Sequence, residues 1–173
     1  MPATSDRVMP DPLREWTVEI FRRLNLPEED AKFIAQCLVQ VDLRGVFTHG
    51  TRQLRRYVRE YSRGDLNPRP EIKIVRETGS STVLDGDGGA GYLVAKRATE
   101  ILIEKAQAQG IAISSTQFHG HVGSEGLYAR MALEHGLITF SVAGGRWWEP
   151  PNRPDGTIWD AMRSPPMCFG IPS

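Results

Sequence analysis

The stretch Asp42-Leu43-Arg44-Gly45-Val46-Phe47-Thr48-His49-Gly50 places a single imidazole between a hydroxyl and a glycine, just past a helical run. Imidazole changes protonation state near neutral pH, so a histidine held on a bend beyond a rigid helix can give or take a proton. A histidine at such a place can also satisfy the helix's last carbonyls and its dipole. The local residues leave both readings open. A second turn, Phe118-His119-Gly120-His121-Val122-Gly123-Ser124, lies between a strand and a helix, where glycine lets a ligand approach and free N–H groups face outward. Ser124 is expected to cap that helix. If strand geometry persists, His119 and His121 point the same way, which raises a metal site, but no nearby Cys, Asp or Glu completes one. No metal is therefore expected. Either histidine alone reads as a hydrogen-bonded turn residue.

Four other features carry less. Gly86-Asp87-Gly88-Gly89-Ala90-Gly91 matches G-x-G-x-x-G between a strand and a helix. The following strand has neither an acidic residue for a ribose nor an arginine for a 2′-phosphate, so a tight strand-exit turn is the better reading. His135 before Gly136 reads as a helix cap, and Trp147-Trp148-Glu149-Pro150-Pro151 as a lid or a packing plug. Arg52, Arg55, Arg56, Arg59 and Arg63 fall along one helical face. That face is ordinarily solvated, although an arginine near His49 could bind a carboxylate.

The elements that must hold these residues are legible from periodicity and punctuation. Residues 1–10 read as a disordered arm. Asp11-Pro12 is read as an N-cap with proline at the first helical position, opening a short amphipathic helix through Trp16, Ile20, Phe21 and Leu24. A second helix opens at Pro27 with acidic residues in its first turn, and a third covers Leu54 to Arg63 and stops at Gly64. Asn67-Pro68-Arg69-Pro70 cannot continue a helix and is read as the junction between a helical lobe, 11–68, and an α/β lobe, 69–173. Strands follow around residues 72–75 and 82–84, then a long helix from Leu93 to Gly110 and a strand from Ile111 to Thr116. A helix from Leu127 to His135, a strand from Leu137 to Val142, a loop over 144–163 and a strand from Pro166 to Ile171 complete the reading.

Composition bounds the function class. The 21 Lys and Arg balance the 21 Asp and Glu, giving zero formal charge and no support for a nucleic-acid partner. No apolar run approaches a membrane span. Cys37 and Cys168 sit far apart in apolar settings, and no signal-like segment is visible. Two buried free thiols and a cytoplasmic location are expected.

With both histidine turns in hand, an ordered set of residues resembles the malate/L-lactate dehydrogenase type 2 family. The set comprises Asp42-x-Arg44-Gly45-x-x-Thr48-His49-Gly50, Tyr57, Gly64-x-x-Asn67-Pro68, Leu84-Asp85-Gly86, Gly91, Lys105-Ala106 and Gly110. It continues with His121-x-Gly123, Ser164-Pro165-Pro166 and Ile171-Pro172. The family includes ureidoglycolate, sulfolactate and diketogulonate oxidoreductases and piperideine-carboxylate reductases. The resemblance implies an α/β, non-Rossmann fold: an N-terminal helical lobe, then a mixed or largely antiparallel sheet with packed helices. It further implies hydride transfer with NAD or NADP at a small 2-hydroxy or 2-oxo acid, or at a cyclic imino acid.

Carried over position by position, His49 matches a histidine assigned as proton donor, and His121 one assigned as proton acceptor. Tyr57 matches a tyrosine that lines the substrate pocket in the family. Arg52 and Thr48 join it as expected substrate contacts, and Gly123, Gly145 and Ser164 are the expected cofactor contacts. Two departures stand out. Many members carry arginine four residues after the first histidine, where this chain has Gln53, and Gly145 replaces a serine used on the cofactor in some relatives. Family members are also much longer, so the chain is expected to be the amino-terminal half of an enzyme. The alternative is a fragment, pseudoenzyme or subunit needing a partner chain; a homo-oligomer or complementing chain is the expected partner.

Overall fold

In the computed structural model, which describes residues 7–144 and 166–172, three helices precede the first strand. Helix α1 (Pro10–Arg23) starts one residue before the expected cap. Pro10 supplies the fixed φ of a first helical residue, Met9 takes the N-cap position, and Asp11 instead pairs with Arg14 within the first turn at 2.7 Å. Helix α2 (Glu28–Leu43) opens after Pro27 with Glu28, Glu29 and Asp30 in its first turn, as its sequence predicts. Its buried side, Ala31, Ile34, Cys37, Leu38 and Val41, follows helical spacing. Phe21 of α1, fully buried, meets the ring of Tyr57 at 6.4 Å and that of Tyr61, edge-on, at 6.3 Å. Both tyrosines belong to α3 (Leu54–Arg63), which ends on Gly64 in the left-handed conformation.

Past Asn67-Pro68 the chain forms a three-stranded mixed sheet. Strands β1 (Lys73–Glu77) and β2 (Ser81–Asp85) pair antiparallel, with an irregularity between Ile74 and Arg76. Helix α4 (Gly91–Gln109) then carries the chain back so that β3 (Ile113–Gln117) lies parallel to β2, in the order β1-β2-β3. Leu84, Val94, Ala98 and Ile101 form the core between β2 and α4, with Ile72 against it. Lys96 of α4 stands over the Phe33 ring of α2 at 4.8 Å.

The chain divides into two compact units, Met1–Ser124 and Glu125–Ser173, a boundary well beyond the junction expected at residues 67–70. The helices and the three-stranded sheet belong to one unit because Asn67 bonds back to Asp87 and Leu66 is buried. The second unit comprises α5 (Gly126–Leu133), β4 (Thr139–Val142) and β5 (Met167–Gly170), the two strands antiparallel. Glu125, not Ser124, stands at the N-cap position of α5. In this small sheet Thr139, Ser141 and Cys168 alternate with Phe140, Val142, Met167 and Phe169, the second set exposed. Cys168 is half-buried, not buried as expected, because a two-stranded sheet covers only one of its faces. Gly145, Ser164, the Trp147-Trp148 run and residues 1–6 of the expected arm lie outside the described residues.

Candidate active site

The bend carrying His49 is built by its neighbours in the Asp42–Gly50 run. Helix α2 closes on itself: the backbone N–H groups of Arg44, Gly45 and Val46 reach carbonyls of Gln40, Val41 and Asp42. The helix end therefore needs no imidazole, and the side chain of His49 meets Thr48 Oγ1 through Nδ1 at 2.9 Å instead. Asp42 fixes the far side of the bend. Its carboxylate accepts from the Thr51 N–H at 2.9 Å and from the Thr51 hydroxyl at 2.5 Å. A Cβ at Gly50 would coincide with that carboxylate, so the glycine is required by space, not by backbone angle. Gln53 donates to the Thr48 carbonyl at 2.6 Å. Gln53 thus closes the bend.

His121 arrives from the other turn. Strand β3 ends at Gln117, and Phe118 takes a positive φ of 52°. Strand geometry does not persist through the turn, so the two histidines part company. His119 places Nδ1 2.8 Å from the Gly120 carbonyl and Nε2 2.8 Å from Thr116 Oγ1, which engages both of its nitrogens inside its own turn. His121 instead shares a 2.8 Å hydrogen bond between its Nδ1 and the Tyr57 hydroxyl of α3. Its ring centre lies 5.6 Å from that of His49. The two imidazoles singled out by sequence are therefore neighbours. The Gly86–Gly91 run has another use: a side chain on Gly91 would strike the backbone of Gly120 and His121, so the glycine lets the His121 turn lie against the start of α4.

Burial first, then the positive charge of Arg56 and then His49, pushes the His121 pKa down to about 4. His121 is a neutral imidazole at neutral pH. Burial likewise lifts Tyr57 to about 12, so it remains a phenol. Arg56 was not among the expected contacts. It is half-buried and bonds Glu60 at 2.7 Å, whereas Arg52, Arg55, Arg59 and Arg63 are exposed. Arg52 also precedes the helix, in a single 3₁₀ turn over Thr51–Gln53, so the arginines do not form one continuous helical face. The signal for Arg56 was its place beside Tyr57, on the flank of the helix face that carries the buried tyrosines. Tyr92, fully buried at the start of α4, was also missed; its hydroxyl lies 3.2 Å from that of Tyr57. Gly123 is the one expected cofactor contact among the described residues. Tyr92 fills the space a side chain there would take, so Gly123 can meet a ligand through its peptide group.

A family model for malate/L-lactate dehydrogenases matches residues 8–173. The chain belongs to this family. It is 38% identical over 167 residues to a malate dehydrogenase of Pyrococcus abyssi, covering 96% of this chain and 45% of that protein. An L-sulfolactate dehydrogenase of Methanocaldococcus jannaschii is 33% identical over 162 residues, 94% of this chain and 46% of its own length. The solved malate dehydrogenase of Pyrococcus horikoshii superposes with a TM-score of 0.77 at 42% identity, over 79% of this chain and 39% of that one. This member of the malate/L-lactate dehydrogenase family thus spans less than half the length of these relatives.

Proposed function

We propose that the chain forms the proton-handling half of an NAD- or NADP-dependent oxidoreductase acting on a small 2-hydroxy or 2-oxo acid. The observation that carries this reading is the pairing of His49 with a His121 that is held neutral and bonded to Tyr57. Ring centres 5.6 Å apart bring both imidazoles within reach of one substrate oxygen. Reduction of a carbonyl places negative charge on that oxygen. His49 then supplies the proton while His121 orients the oxygen by hydrogen bonding; in oxidation His49 receives the hydroxyl proton. The nicotinamide supplies or takes the hydride when bound, with the Gly123 peptide among its contacts. The substrate carboxylate is met by cationic charge from Arg56 and Arg52, with Tyr57 and Thr48 lining the same space.

The test is 2-oxo acid reduction followed by NADH or NADPH consumption, with oxaloacetate, pyruvate and sulfopyruvate as substrates. Activity is expected to fall by roughly 10²–10⁴-fold in His49→Ala. Unchanged turnover in that variant would remove His49 from the reaction.

A second reading, a subunit that needs a partner, is favoured by one observation. Phe140, Val142, Met167 and Phe169 form an exposed apolar face on the β4–β5 sheet, with Phe140 and Phe169 directly paired and their rings 4.7 Å apart. Titration of the chain with NADH and NADPH separates the readings. Binding of neither nucleotide by the chain alone is the subunit's signature.

A further inference from the structure

Three observations converge on Tyr92. Its side chain is 1% exposed, one of the largest to be so completely buried, yet its hydroxyl sits 3.2 Å from the Tyr57 hydroxyl. The two rings meet edge-on, centres 5.9 Å apart. A Cβ at Gly123 would stand 2.5 Å from the Tyr92 ring and hydroxyl, so the His121 turn is shaped around this phenol. Tyr92 does not touch His121 through any of these bonds; it reaches it through Tyr57, whose hydroxyl is 2.8 Å from His121 Nδ1. The chain of atoms is Tyr92 hydroxyl, Tyr57 hydroxyl, His121 Nδ1.

Such a chain has two internally consistent directions, and donor and acceptor strength choose between them. A phenol O–H is a stronger donor than a neutral imidazole N–H, and an imidazole nitrogen is a stronger acceptor than a phenol oxygen. The strongest arrangement has Tyr92 donating to Tyr57 and Tyr57 donating to His121, each bond polarising the next. We propose that Tyr92 is a positioning residue whose hydroxyl, acting through Tyr57, holds His121 in the tautomer protonated on Nε2. His121 then presents an N–H donor, not a lone pair, on the nitrogen that Tyr57 leaves free. It stabilises charge on a substrate oxygen and leaves proton transfer to His49. That consequence rests on the role assigned to His121 above, whereas the tautomer itself is read without substrate or cofactor.

The experiment is nitrogen-15 NMR of the histidine side chains in the full chain, comparing wild type, Tyr92→Phe and Tyr57→Phe. Wild-type His121 should show Nδ1 unprotonated and Nε2 protonated at neutral pH. Tyr92→Phe should reduce the tautomer ratio by roughly threefold, because Tyr57 loses the donor that strengthens its own bond to His121, and Tyr57→Phe by more. Because the bond to Nδ1 favours the neutral ring, the His121 titration midpoint should rise by roughly half a pH unit in Tyr92→Phe. The charged and titratable groups around it, Arg56 and Glu60 from α3 and His49 from the bend, are unaltered by that change. A wild-type ring protonated on Nδ1 would overturn the proposal, as would a folded Tyr92→Phe with both ratio and midpoint unmoved. Should Tyr92→Phe fail to fold, 3-fluorotyrosine at position 92 keeps the ring and makes the hydroxyl a stronger donor. The ratio should then rise, and an unmoved ratio sinks the idea.

Discussion

His121 ties the chemistry of the site to the stability of the fold. Its pKa lies at about 4 in the folded chain against the ordinary 6.5, so the unfolded chain takes up its proton first as pH falls. Stability from this residue is therefore fully present above about pH 6.5 and is lost as pH drops toward 4. The ring is only partly buried, which reduces the effect to on the order of 2 kcal/mol. Urea unfolding between pH 7 and 4.5 should show a shallower loss of stability in His121→Asn than in wild type; parallel losses in the two would place the histidine in solvent. Cys37 shows the opposite use of burial. Its thiol is pushed up to about 12, leaving a packing residue slow to react with alkylating agents.

At the level of elements, the Asp42–Gly50 run works as a clasp between α2 and the turn that precedes α3. Replacing Asp42 by alanine strips the Thr51 N–H and hydroxyl of their acceptor. A loss of about 1–3 kcal/mol is expected, measurable as a lower urea midpoint with unchanged slope. A change under about 0.5 kcal/mol would mean that the bend is held by its other contacts. Most elements were legible because their signals are local: Pro27 with three acids opens α2, and Gly64 stops α3 where the sequence says it should. Separate roles for His49 and His121 came through resemblance, but their adjacency had no signal in the sequence, since nothing in the local pattern of either turn points to the other. Arg56 and Tyr92 escaped because their roles depend on which side of a helix faces a turn far along the chain. Asp11 and Ser124 were misread for a different reason. Both are good capping types, but Pro10 and the backbone at Glu125 set the actual helix starts.

At the level of the whole molecule, the described residues of the second unit leave large apolar side chains exposed on the β4–β5 sheet. Phe140 is 58% exposed and Phe169 69%, and Ile138 and Ile171 flank the same strands, also exposed. The chain on its own is expected to self-associate with rising concentration or to bind a hydrophobic dye. Phe140→Ser with Phe169→Ser should suppress both, at little cost in stability because neither ring is in a core. Sedimentation velocity checks this directly, and a wild-type chain that stays monomeric at high concentration would count against the subunit reading.

The 2.8 Å bond between Tyr57 and His121 joins residues 64 apart in sequence, across the β1–β2 hairpin, α4 and the parallel strand β3. A hairpin closes within microseconds, whereas parallel pairing must wait for its crossover and for the entropy of a long loop. The Tyr57–His121 contact is therefore expected to form late as the chain folds. In a refolding experiment the depressed His121 titration should return after the helical signal, not with it.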